Sequence, residues 1–362
     1  MSLLRKLFPA TFVLMLASAA LAAAAADAPA FYQLQSVLNL GGTGTSWDHI
    51  DYDQSKHLAY LSRRADGLTV VDVTSGKVVA EIANAKGSGA TVLVPKLDRG
   101  YTANTDGSTS IFKLSDFSAV DRISFGDNFD GVVYDEATNI LAYQQADNSK
   151  ELLVDAATMK LAATIEVEGT QLERPVIGGN SNLYLPLRDK HLVYKIDLKT
   201  RKIVAKWDVS SKCTQPSGAE FDLANNRLLL PCRGMITAPV LAVINADSGA
   251  VTATYPTGRG ADDIILDPAT RQLFIPAGVD GVLHVFRQEG ADKYSLIETL
   301  QTRPGLRVIR YDTATQKIYG MVAEGTFDAS RKNLAGVSPF YPNKFFPGTF
   351  VMLTFGRVPA AK

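Results

Sequence analysis

Residues Trp47 to Ile82 read WDHIDYDQSKHLAYLSRRADGLTVVDVTSGKVVAEI, and this stretch decides the fold. Its apolar residues fall into four short runs, Ile50 to Tyr52, Leu58 to Ser62, Leu68 to Asp72 and Lys77 to Ile82, each the length of a β-strand. Polar turns separate the runs: Asp53-Gln54-Ser55-Lys56, then Asp66-Gly67, then Thr74-Ser75-Gly76. Short acceptor side chains and glycine at these places suit tight hairpins. Four antiparallel strands in about 40 residues is the span of one propeller blade.

The same unit is then repeated. A second runs from Ser88 to Phe125, a third from Phe129 to Ile165, a fourth from Glu173 to Trp207, and a fifth starts at Ser217. The sixth covers Asp262 to Leu300 and the seventh begins at Leu306. First strands tend to end in an apolar residue plus aspartate: Tyr52-Asp53, Tyr134-Asp135, Phe221-Asp222, Leu266-Asp267 and Tyr311-Asp312. Third strands tend to end in Asp72, Asp155, Asp197 or Asn245. In both places a short acceptor can bind backbone donors two or three residues on, so these carboxylates are read as turn formers and not as catalysts. The seventh unit lacks a fourth strand, and Phe31 to Leu40 (FYQLQSVLNL) stands unassigned at the other end. Letting that run complete the last blade closes the ring and removes an open edge. The expected fold is all-β, a seven-bladed propeller of four-stranded antiparallel blades.

The composition bounds the function. Lys plus Arg equals Asp plus Glu at 37 each, so a basic surface for non-specific nucleic-acid binding is not expected. Arg5 and Lys6, the apolar run from Leu7 to Leu21 and the alanines to Ala26 have the pattern of a secretory signal peptide cleaved near Ala26-Asp27. The expected organisation is therefore a signal peptide over 1–26 and a single propeller domain over 27–362, with no membrane span after cleavage. An exported chain with two cysteines suggests a Cys213–Cys232 disulfide. Cys213 leads into blade five and Cys232 ends that blade's second strand, so both belong to one face.

In its repeats the chain resembles the YVTN-type, or surface-layer-type, seven-bladed propellers, many of them exported bacterial proteins. Tyr101-Thr102-Ala103-Asn104 is near that family's tetrapeptide, and the run from Asp66 to Val79 (DGLTVVDVTSGKVV) matches its third and fourth strands. The resemblance implies architecture and carries no chemistry, because unrelated functions share such propellers.

Chemistry is expected where the first strands begin. Asp48 and His49, Asp130, Glu173 and Arg174, Ser217, Asp262 and Asp263, and Arg307 fall at equivalent or near-equivalent positions, and Asp48, Asp130 and Asp262 align without gaps on the downstream aspartate. Such a ring faces the channel mouth, where charges of both signs suit a polar or zwitterionic ligand or a cation. The alternative is a solvated channel whose polar residues satisfy one another. A second candidate is the insertion Gly325 to Gly348 in blade seven, with Phe340, Tyr341, Phe345 and Phe346 among its prolines. An insertion of this length in a compact repeat suggests a flap over the mouth or a partner-docking surface, the alternative being a shield for a blade edge. The four histidines, at 49, 57, 191 and 284, are scattered, His57 in a hairpin turn and His191 and His284 on third strands, and C-x-x-C-H, G-x-S-x-G, Walker and H-E-x-x-H motifs are absent, so no metal or cofactor is expected.

The expected function is that of an exported, periplasmic binding or scaffolding protein, recognising a small polar ligand or a protein partner at the mouth. Two alternatives use the same architecture: a lactonase-like hydrolase or lyase, and a non-catalytic subunit of a periplasmic redox enzyme such as an amine dehydrogenase. The enzyme alternative requires His49 within hydrogen-bond reach, or one water, of Asp48, Asp130 or Asp262.

Overall fold

The computed structural model describes residues 30–234, 237–331 and 342–359. The expected signal peptide, 1–26, lies outside the described residues. Seven four-stranded antiparallel sheets form the molecule, and in the first six the strands follow chain order from the channel outward. Blade one consists of Ile50–Asp53, Leu58–Ser62, Leu68–Asp72 and Lys77–Ile82. First strands of successive blades touch in an unbroken circle, which defines the central channel.

Turn chemistry fixes each blade. Asp53 Oδ1 accepts from the Ser55 and Lys56 amides at 2.9 and 3.0 Å. Asp135, Asp222, Asp267 and Asp312 make corresponding bonds to residues two or three positions on. In these hairpins the residue four after the aspartate is left-handed: His57, Asn139, Asn226, Arg271 and Gln316 have φ of 54, 60, 52, 53 and 54°. The side-chain bonds hold that strained corner and so set where the second strand starts. Asp72, Asp155, Asp197 and Asn245 cap the later turns in the same way. His191 differs from the sequence reading. It occupies a left-handed turn position, φ 57°, immediately before the third strand Leu192–Asp197.

The last blade pairs Ile309–Asp312, Lys317–Val322 and Val351–Pro359 with the N-terminal strand Ala30–Asn39 outermost. That strand runs antiparallel to Val351–Pro359 from Ala30↔Pro359 to Asn39↔Val351. It is also stapled to blade six. The Tyr32 amide donates to Glu298 Oε1 at 2.8 Å, and its ring meets Phe274 edge-on at 5.6 Å. Apolar side chains fill the spaces between blades, the largest cluster joining blades one, six and seven around Trp47, Tyr311 and Phe350.

The disulfide forms between Cys213 and Cys232, with Cα atoms 5.4 Å apart. Its loop is 19 residues long by sequence separation. Replacing both cysteines by serine should lower stability by ~3 kcal/mol on chain-entropy grounds, read by denaturant unfolding; a loss below ~1 kcal/mol would mean the loop is already held by its packing. A chain starting at residue 41 leaves the Val351–Pro359 edge unpaired. It should melt at a lower temperature and self-associate on size-exclusion chromatography; an unchanged monomer would show that closure does not depend on the N-terminal strand.

Candidate functional site

Backbone bonds define the mouth of the channel. The amides of Asp48, Asp130, Glu173 and Ser217 donate to the carbonyls of Ser62, Gln144, Pro186 and Pro231 at 3.0, 2.9, 3.0 and 3.0 Å. Each acceptor lies at the end of its blade's second strand, so these four residues are structurally equivalent. Asp262 and Arg307 occupy the same place in blades six and seven, each five residues before its turn aspartate, Asp267 or Asp312. In blade two the place is taken by Gly89, where a side chain would lie 3.6 Å from Asp48 Oδ2.

The acids of this ring are met by arginines that the sequence reading did not include. Two residues past the acceptor carbonyls stand Arg64, Arg188 and Arg233 in blades one, four and five. Arg64 pairs with Asp48, and Arg233 with Asp262. Arg188 Nη1 lies 2.6 Å from Glu173 Oε1. Arg307 Nε lies 2.9 Å from Asp262 Oδ2, and its Nη2 is 3.9 Å from Asp48. The signal for them was present in the repeated run Leu185-Pro186-Leu187-Arg188 and Leu230-Pro231-Cys232-Arg233.

Blade three breaks the pattern. Where blades one, four and five supply arginine it supplies Ala146. Among the described residues no ion pair or side-chain hydrogen bond reaches the Asp130 carboxyl. Burial, and then the charges of Asp48 and Glu173, push it up to about 8. Close behind it Glu151 is fully buried, accepts from Gln144 Nε2 at 2.6 Å, and is likewise raised by burial to about 8.

The remaining sequence-stated residues sit deeper. Asp263 is 3% exposed and is spent on Arg310 Nη1 at 2.6 Å, the Ile309 amide at 3.2 Å and Arg174 Nη1 at 3.6 Å. Ser217 is fully buried and donates to backbone carbonyls, so it serves the fold. His49 is buried, with Nδ1 unpartnered and Nε2 3.8 Å from Asp48 Oδ1. Burial and the Arg174 charge hold its imidazole down at about 3, which leaves it neutral at neutral pH. At 3.8 Å the His49–Asp48 pair makes no direct hydrogen bond. Among the described residues, no three His, Cys, Asp or Glu side chains are grouped to hold a metal ion.

Below the ring the first strands enclose a cavity of about 390 Å³. Two residues before the turn positions stand Asp51, Val92, Val133, Val176, Glu220, Ile265 and Arg310, one from each blade, and all line it. The lining reaches Gln54 in the first hairpin turn, at the end opposite the ring. Burial raises the carboxyls of Asp51 and Glu220, the latter to about 7.

The blade-seven insertion lies beside the mouth. Its base is a small hairpin, Gly325–Thr326 with Lys344–Phe345. Phe345 packs edge-on to Trp47 at 4.7 Å, and the Arg307 guanidinium stacks over the same indole at 4.9 Å. Phe346 remains 39% exposed. Phe340 and Tyr341 lie outside the described residues.

No protein-family model matches the chain, and no curated protein sequence does. Solved structures do. A chain in the crystal structure of a mitotic checkpoint complex aligns with a TM-score of 0.69 at 12% identity, over 87% of this chain and 96% of that one. A chain of the Kuenenia stuttgartiensis hydrazine synthase aligns with a TM-score of 0.67 at 14% identity, over 77% and 92%. At these identities the likeness is one of fold.

The buried groups set a pH dependence. Glu151 keeps its proton to about 8 in the folded state and would release it near 4.5 when unfolded. The folded state therefore binds more protons between those values, and stability falls as pH rises through that window. His49 acts oppositely: unfolded it takes a proton near 6.5, folded only near 3, so stability is lost as pH falls between them. The Glu151→Gln variant should lose part of the alkaline decline in melting temperature and keep the acid one. An unaltered profile from mildly acidic to alkaline pH would rule out Glu151 as a titrating group.

Proposed function

We propose that this chain is an exported propeller that binds a small polar ligand at its channel mouth, and that the ligand presents a cationic group to Asp130. One observation carries the reading: in a ring whose other acids are paired with arginines, no ion pair among the described residues reaches the Asp130 carboxyl. A carboxyl whose proton is retained by burial and by neighbouring negative charge is a place where an ammonium or guanidinium group replaces that proton favourably. Asp48, Glu173, Asp262 and Arg307 would frame the ligand. His49, Arg174 and Asp263 would support it from beneath. The acids are interleaved with arginines, which suits an organic cation better than a metal ion.

Export is part of the proposal, with residues 1–26 as the cleaved signal peptide. A disulfide is at home in an oxidising compartment such as the periplasm. No helix among the described residues is long and apolar enough to cross a membrane. We assign the repeats to the YVTN type on the run Asp66–Val79, which occupies the third and fourth strands of blade one, and on Tyr101–Asn104 in the second strand of blade two.

A protein partner is the second reading, favoured by Phe327 and Phe346, which stay 38% and 39% exposed on the insertion beside the mouth. One of the solved structures named above is of a complex, as this reading would have it. Co-purification at low stringency would recover the partner from the wild-type chain and lose it with Phe327→Ser plus Phe346→Ser.

The ligand reading is tested by thermal shift of the mature chain against choline, agmatine and divalent cations. An organic cation should raise the melting temperature, and Asp130→Asn should abolish the rise. A shift that survives in Asp130→Asn, or that only divalent ions produce, would overturn it.

A further inference from the structure

The geometry points to a second binding site, inside the channel below the ring, that takes a small zwitterion with an apolar stem, of the kind of a free aliphatic or aromatic α-amino acid. This inference does not rest on the mouth reading, since ring and cavity share only Arg174. The cavity of about 390 Å³ has room for such a molecule.

Its charges are placed but not matched. Asp51 accepts from the amide of Tyr52, at 2.9 Å, and Glu220 from that of Phe221, at 3.0 Å, with the Leu266 backbone also favouring its charged form. Neither carboxyl has a cation within ion-pair distance there. On the cationic side Arg310 is 9% exposed, and its Nη2 is buried without a hydrogen-bond partner. Among the described residues, the Arg174 guanidinium has one ion pair, at 3.6 Å with Asp263, and no hydrogen bond. Unspent donors on two guanidiniums form a fork for a carboxylate. Two buried carboxyls with no cation within ion-pair distance attract an ammonium, although Arg174 and Arg310 act on them from farther off.

The order of blades separates these groups from an apolar wall. Arg174, Glu220, Arg310 and Asp51 come from blades four, five, seven and one, with Ile265 of blade six between Glu220 and Arg310, whereas Val92 and Val133 of blades two and three carry no charge. A ligand with charged ends on one side and a hydrocarbon stem on the other matches that division. Buried polar groups left unpaired by an incomplete ligand are the basis of strong rejection of analogues.

Isothermal titration calorimetry on the mature chain tests this with valine, leucine and phenylalanine, each up to about 10 mM. At least one should bind. Its amide, which lacks the carboxylate, and its des-amino acid, which lacks the ammonium, should each bind at least about tenfold more weakly. Glu220→Gln should weaken binding about tenfold or more at an unchanged or raised melting temperature, because it removes a carboxyl that burial disfavours. Asp130→Asn should leave amino-acid binding intact, which separates this site from the mouth. The inference is overturned if none of the three binds, if the amide binds as well as the acid, or if Asp130→Asn abolishes binding while Glu220→Gln does not.

Discussion

Closure of the ring is the constraint on which the rest depends. The strand Ala30–Asn39 pairs with Val351–Pro359, so the two ends of the described chain share one blade. An open array of blades would carry an unsatisfied strand edge and an uncovered apolar face at one end. Closed, the array covers those faces and pairs the Val351–Pro359 edge, and it brings the seven first strands to a common axis. The hydrogen bond from Tyr32 to Glu298 and its contact with Phe274 tie the closing strand to blade six as well. The mouth and the cavity exist only within that circle, because no single blade carries more than a part of the ring or of the cavity.

Around the axis, charge is arranged in two layers with different degrees of satisfaction. At the mouth, acids and arginines alternate and pair, with Asp130 as the exception because blade three has Ala146 where arginine stands in blades one, four and five. The mouth is braced from outside. Trp47 lies between the Arg307 guanidinium and Phe345 of the insertion, and the Cys213–Cys232 bridge ends one residue before Arg233. Beneath it, Asp263 holds Arg310 and Arg174, while Asp51 and Glu220 have no cation in contact. Leaving buried ionisable groups unmatched costs stability, and that cost is characteristic of places where something else binds. His49 is buried, and burial and the Arg174 charge keep it neutral at neutral pH.

The sequence by itself determined the blades. Runs of four to six apolar or alternating residues, and acceptor side chains at the turns, are local signals, and the structure places strands on nearly all of them. Asp53, Asp135, Asp222, Asp267 and Asp312 were readable as turn formers because their partners lie two or three residues away. The count of seven, the missing last strand and its replacement from the N-terminus followed from the same periodicity. So did the placement of Asp48, Asp130, Glu173, Asp262 and Arg307 at the mouth, because equivalent positions in a closed repeat must meet.

What only the tertiary structure decided is which of these charges neutralise one another. Asp262 is held by arginines from the blades on either side, and Asp48 is approached by Arg307 from the far end of the chain. Nothing in the local sequence of an aspartate reports that neighbour. Asp51, Glu220 and Arg310 looked like ordinary alternating positions of short strands, and only the convergence of the blades made them a single cavity wall. Strand formation is governed by bonds between near residues and is written in short runs. Ion pairing and burial at the axis depend on the distance between blades, which exists only once the ring has closed.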